Sequence, residues 1–186
     1  MKITIAAGFL LCGAAVAFAQ SHYSGMESRE IKNLSSQQIA DLKAGRGMGM
    51  ALAAELNGYP GPMHVLDLAD RLALSAEQRA ATQSLMAEHK ARARTLGEQL
   101  VDAERDLDKP FARRAAAADT IDAATRRVGL LQAELRAEHL KTHIAQTVLL
   151  SGDQVQMYAV LRGYATDGTP DVEQAPLGGN TPHRRH

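Results

Sequence analysis

Cysteine is nearly absent from this 186-residue chain, tryptophan is missing, and neither sign of charge is in excess. Each shortage excludes something. The single cysteine, Cys12, lies in an apolar N-terminal stretch that reads as a cleaved secretory signal, so the mature chain forms no disulfide. Cys12 follows Leu11, where a lipoprotein signal requires a small residue, which argues against a lipid anchor. Lys plus Arg number 21 and Asp plus Glu 21, a balance that gives no electrostatic reason to expect nucleic acid or an anionic membrane as partner. No apolar run reaches the roughly 20 residues that a membrane-spanning helix needs.

What is abundant is Ala, Leu, Glu, Arg and Gln, the composition of long helices around a thin core. Residues 1–19 combine one lysine, an apolar run over 3–16, and Ala17 and Ala19 placed for signal peptidase, which predicts export to the periplasm. Residues 20–62 form an N-terminal segment with short helices and a Gly/Pro linker, residues 63–164 a helical hairpin domain, and residues 165–186 a tail. If cleavage follows Ala19, the new terminus Gln20-Ser21-His22 has the pattern of a Cu(II) or Ni(II) chelate; cyclisation of Gln20 would block it.

The segment Leu34-Ser35-Ser36-Gln37-Gln38 fits a capping box, with Ser35 as cap and Gln38 reaching back, and predicts a helix over 36–43. Gly45, Gly47 and Gly49 lack the preceding strand and the following Gly-Lys-Ser/Thr of a phosphate loop, so they read as a bend that allows close packing. A short helix over 48–56 is then stopped by Asn57-Gly58-Tyr59-Pro60-Gly61-Pro62. A helical pattern runs over 63–71, and Leu74-Ser75-Ala76-Glu77-Gln78 restarts the helix with Ser75 as cap.

Two long amphipathic helices follow. The first has its seam at Leu85, His89, Ala93, Leu96, Leu100, Ala103 and Leu107 and is expected to end near Asp108, because Pro110 disfavours helix at the residue before it. The second starts near Asp119 or Thr120 with its seam at Ile121, Ala124, Val128, Leu131, Leu135, His139, Thr142 and Leu149. A short connection between such helices implies an antiparallel hairpin. If residue 107 faces residue 119, equal rise on the two helices puts His89 level with residue 137, within a turn of His139. His139 and His143 share a helix face at i, i+4, so His89, His139 and His143 converge near one level of the bundle, with Glu88, Glu138 and Met86 close by.

Neutral imidazoles so placed suit Zn, Ni, Co or Cu, and a thioether suits Cu(I). The plain alternative is a set of packed or exposed histidines. His64, ahead of the first long helix, is a further candidate ligand; His183 and His186 fall in the Gly/Pro-rich tail. No cofactor is required, and no nucleophile, base and orienting group stand together as catalysis would need, since Ser75 and Ser151 are explained as helix caps.

A third Leu-Ser-x-x-Gln stretch, Leu150-Ser151-Gly152-Asp153-Gln154, follows the second long helix. With Ser in place of Thr, these three stretches resemble the motif that names the LTXXQ family of periplasmic proteins, which includes the Spy/CpxP-type refolding chaperones and is similar to zinc-resistance-associated proteins and periplasmic nickel/cobalt sensors. Glu55-Leu56-Asn57-Gly58-Tyr59-Pro60-Gly61-Pro62 and Leu161-Arg162-Gly163-Tyr164 resemble stretches of a subset of that family. The resemblance covers about residues 63–164. It implies an all-α, Spy/CpxP-like cradle built on a long antiparallel hairpin with short flanking helices, without enzymatic activity and often a homodimer. Its partners would be unfolded or misfolded periplasmic proteins, or a membrane-bound stress or metal sensor. Chaperone members hold clients on a concave face that mixes apolar and basic groups, here with Arg92, Arg94, Arg113, Arg114, Arg126 and Arg127 as basic candidates. Metal-responsive members use histidines, carboxylates and sometimes methionine, the closest match being His139-Leu140-Lys141-Thr142-His143. From the sequence, chaperone or adaptor function stands ahead of metal sensing or resistance.

Overall fold

A computed structural model describes residues 23–165; the signal segment, His22, His183 and His186 lie outside the described residues. Among the described residues there is no strand, and the elements are a 3-10 turn (Met26–Ser28) and six helices: α1 (Ser36–Lys43), α2 (Leu52–Glu55), α3 (Pro62–Asp67), α4 (Ala76–Ala112), α5 (Ala118–Val148) and α6 (Gly152–Leu161). Among the described residues no helix is long and apolar enough to cross a membrane.

All three Leu-Ser-x-x-Gln stretches form complete capping boxes. Ser35, Ser75 and Ser151 each accept from the backbone NH of the Gln three residues on, and each of those glutamines returns a bond to the serine NH. Two of the boxes also meet. The Gln78 amide donates to the Gln154 side-chain oxygen at 2.8 Å and to the Leu149 carbonyl at 2.9 Å, while Gln154 donates to Gln78 at 3.0 Å and to the Leu72 carbonyl at 3.1 Å. The starts of α4 and α6 are thereby locked to each other and to the end of α5.

The hairpin register is close to the expected one: Glu138 bonds His89, and Gln146 bonds Thr82 at 3.2 Å. Ala93, Leu100, Val101 and Ala103 of α4 pack on Val128, Leu131 and Leu135 of α5, and Ile31, Leu34 and Leu42 join the same cluster. Thus the chain before α2 shares the hairpin's core. Gly97 makes this possible, because a Cβ there would lie 2.1 Å from the Leu42 carbonyl oxygen, so only glycine lets the end of α1 rest directly on α4. A second cluster, Val65, Leu72 and Tyr158, ties α3 and α6 to the capped end of the hairpin.

Pro110 does not end α4 where the sequence suggests: the helix runs on to Ala112. Proline at this point forfeits only the bond to the carbonyl four residues back, within the last turn, and its own carbonyl accepts from Ala115 at 2.9 Å. That bond, with Arg114 NH to Phe111 O at 3.0 Å and Arg114 in the left-handed region at φ 54°, makes a Schellman end. The expected helix over 48–56 is reduced to Leu52–Glu55, because Met48 and Gly49 both take positive φ. Similarly, the helix expected over 63–71 gives way to turns after Asp67.

Candidate functional site

The glycine-rich segment, α2 and the start of α3 fold back over the hairpin and leave an open cavity of about 1030 Å3 against it. His64, His89, His139 and His143 all line it, as do Met48, Met63 and Met86. The four sequence candidates therefore reach one wall, and each has its own setting.

His89 and His139 are buried and meet edge to face, ring centroids 4.6 Å apart at 71°. The Nδ1 of His89 lies 3.1 Å from a Glu138 carboxylate oxygen and 2.9 Å from the Thr142 hydroxyl, whose proton goes to the Glu138 carbonyl at 2.8 Å. With acceptors on that side, Nδ1 is assigned as the protonated nitrogen. Arg92 completes the group with a 3.0 Å bond to the same Glu138 oxygen. Burial works to raise the Glu138 carboxyl, but the bonds from His89 and Arg92 outweigh it and hold the group below the usual range.

His139 has no such support. Its Nε2 is buried without a hydrogen-bond partner, and burial, reinforced by His89 and His143, pushes the imidazole down to about 4. At neutral pH it is an uncharged ring facing Gly47, where a Cβ would stand 3.6 Å from Nδ1. One turn on, His143 donates from Nδ1 to the Tyr59 carbonyl at 2.8 Å and lies 3.6 Å from Glu55. Gly61 is required beside it, since a Cβ there would sit 2.8 Å from the ring. His64 is at the mouth, 3.6 Å from Asp67. Among the described residues no three His, Cys, Asp or Glu side chains are grouped closely enough to hold a metal ion.

Sequence reasoning overlooked Glu55 as a buried carboxylate. It accepts from the Tyr158 hydroxyl at 2.6 Å and the Tyr164 hydroxyl at 3.1 Å, and Arg162 lies 3.4 Å away. Burial raises the Tyr158 hydroxyl's pKa, and the bond to Glu55 raises it further. Gly163, at φ 73°, closes α6 with a Schellman turn that swings Tyr164 back to Glu55, where Arg162 also stacks over its ring at 5.5 Å. The two stretches that hold Glu55 and Arg162-Gly163-Tyr164 stand out in the sequence separately, but nothing local in either announces their partnership across more than a hundred residues.

The chain matches no protein family, no curated protein and no solved structure.

A second surface stands on the other side of α5. The buried residues Leu131, Leu135, His139, Thr142 and Gln146 form the side that packs on α4, yet Leu130, Ile144 and Val148 are 60%, 53% and 80% exposed. These three are spaced at close to whole turns of the helix, so they form one stripe away from the seam.

Proposed function

We propose that the chain is an exported, non-enzymatic protein of the Spy/CpxP kind that holds partly unfolded proteins on a helical cradle in the periplasm. The observation that carries this is the second apolar stripe of α5: Leu130, Ile144 and Val148 project from a helix whose other side is already packed. Apolar side chains aligned on an exposed helix face mark a surface for association. Arg126, Glu134 and Lys141 share that face, so the stripe mixes apolar and charged groups. The three serines that sequence motifs single out are occupied as helix caps, so the reading is binding rather than chemistry.

The test is suppression of aggregation of a chemically denatured protein, without nucleotide or metal, by wild type and by Leu130→Asp/Ile144→Asp/Val148→Asp. Wild type is expected to suppress aggregation and the triple variant to lose most of that effect while melting at a similar temperature. Equal suppression by both would sink the proposal. Halving of the molecular mass in the variant without loss of suppression would assign the stripe to a homodimer instead.

One observation favours a second reading, transition-metal binding in the cavity. His139 Nε2 is an uncharged, buried nitrogen without a partner, on a wall that also presents Met63, Met86 and His64. On this reading Zn, Ni, Co or Cu raises the melting temperature of wild type and leaves His139→Ala/His143→Ala unmoved. Equal shifts in both would dismiss it.

A further inference from the structure

The cavity carries more positive charge than its own carboxylates answer. Lys43 ends α1, and Lys90 and Arg94 stand one turn apart on α4; all three line the cavity, and none has an ion-pair partner among the described residues. Arg46, on the same wall, is already held by Asp41 at 2.7 Å. The lining carboxylate, Glu55, is engaged through Oε1 by Tyr158, Tyr164 and Arg162, while its Oε2 lies 3.6 Å from His143, and it forms no ion pair with Lys43, Lys90 or Arg94.

The fold gathers these cations by a specific close approach. Gly45 is the left-handed residue that closes α1, at φ 67°, and a Cβ on it would stand 3.1 Å from Arg94 Cγ and 3.2 Å from the Lys90 carbonyl. The chain end that carries Lys43 is thereby laid against the Lys90 and Arg94 turn. Away from this cationic corner the wall is apolar and adaptable, with Met48, Met63, Met86 and Leu52, and thioethers repack readily around flexible chains. Among the described residues, two buried polar atoms of the lining lack a hydrogen-bond partner: His139 Nε2, on a ring that is 4% exposed, and Glu55 Oε2. At about 1030 Å3 the space is at the upper end of small-molecule sites.

We propose that the cavity binds a single-chain amphiphile with an anionic head, of the fatty-acid type. Its carboxylate sits among Lys43, Lys90 and Arg94, where the guanidinium fork offers a paired hydrogen bond. Its hydrocarbon chain lies along the cavity among Met48, Met63 and Met86 and covers the first two, which are exposed without it. A nucleotide is a poor occupant, since no Trp, Tyr or Phe lines the space for a base to stack on. The site is separate from the exposed stripe of α5, so it goes beyond the client-binding reading and does not depend on it.

Titration calorimetry of the purified protein with laurate, kept below its micelle concentration and with a chelator present, tests the proposal against dodecyltrimethylammonium, which has the same chain and the opposite charge. One laurate per chain is expected, with affinity at least ten-fold weaker in Lys90→Ala/Arg94→Ala and with little binding of the cationic amphiphile. Both substituted residues are exposed, so the variant should melt with wild type. Methyl-labelled methionine spectra should show Met48, Met63 and Met86 shifting with laurate. Equal laurate affinity in the variant, equal binding of the cation, or methionine signals that stay in place would overturn the proposal. So would tighter, competitive binding of an apolar peptide with a free C-terminal carboxylate, which would make the occupant a protein chain end.

Discussion

The side-chain amides of Gln78 and Gln154 bond each other in both directions, at 2.8 and 3.0 Å, while each also returns a bond to the serine that caps its own helix. Each motif glutamine thus has a local task and a tertiary one, and the repeated motif acts as a clasp between helix starts that are 76 residues apart in the chain.

Replacing either glutamine should therefore cost more than a capping box alone. Gln78→Ala and Gln154→Ala are each expected to lower stability by about 1 to 3 kcal/mol, since partly buried partners are left unpaired. Denaturant unfolding of the single and double variants should show a coupling of about 1 kcal/mol. Gln38→Ala, whose box has no such second partner, should cost less and couple to neither.

Gly97→Ala introduces a methyl group 2.1 Å from the Leu42 carbonyl oxygen, a backbone atom that moves only if α1 moves. Loss of about 2 to 3 kcal/mol is expected, at the upper end of overpacking costs, although alanine is the better helix former. The same substitution at Gly129, where a Cβ would meet nothing within 4 Å, should stabilise the protein. Comparing the two melting temperatures separates contact from helix propensity.

The buried His139 imidazole makes stability depend on pH in a defined direction. Its folded pKa, about 4, lies below its ordinary value of 6.5, so the unfolded chain binds the extra proton first. The contribution is fully present above 6.5 and is lost as pH falls from 6.5 towards 4, by about 2 kcal/mol once the open side of the ring is allowed for. Glu138, whose carboxyl is lowered, adds a loss of the same sign at more acid pH. Unfolding free energies between pH 7 and 4.5 should slope less in His139→Leu than in wild type. Parallel slopes would mean that the ring is not protected from protonation.

Tyr158→Phe removes the 2.6 Å donor to Glu55 and leaves a buried carboxylate short of a partner. A loss of about 2 kcal/mol is expected, and Glu55→Gln in the same background should recover part of it. Tyrosinate absorbance offers a second check, since burial and the Glu55 bond hold the Tyr158 hydroxyl protonated beyond the ordinary tyrosine range in wild type.

Much of the fold was legible because it rests on local chemistry. Ser35, Ser75 and Ser151 announce their helices with a cap and a glutamine at fixed spacing, and α1 covers the expected residues 36–43. The apolar periods of α4 and α5 fix the hairpin and, with its register, put His89 beside His139. α4 runs past Asp108 to Ala112 because the restriction before Pro110 is a preference that a single helical turn can absorb. The site was only half legible. Periodicity tells which face a histidine is on, but not that His143 will be used by the Tyr59 carbonyl and His89 by Glu138 and Thr142. Glu55 and Tyr164 could not be paired in advance, for the bond depends on where the turn at Gly163 sends the chain. The same holds for Gly45, whose closeness to Lys90 and Arg94 comes from the packing of α1.

The uneven ends of the hairpin have a consequence for how the molecule comes apart. At one end, two capping boxes, the Gln78 and Gln154 amide pair and the Glu55 cluster hold α4, α5 and α6 together; at the other, residues 111–120 are all exposed and Phe111 packs on little. Local opening should start at the connection and travel inwards, so trypsin should first nick the chain at Arg113 or Arg114. Because the seam below the nick is long and closed at its far end, the two fragments should stay together under native conditions and separate only in denaturant.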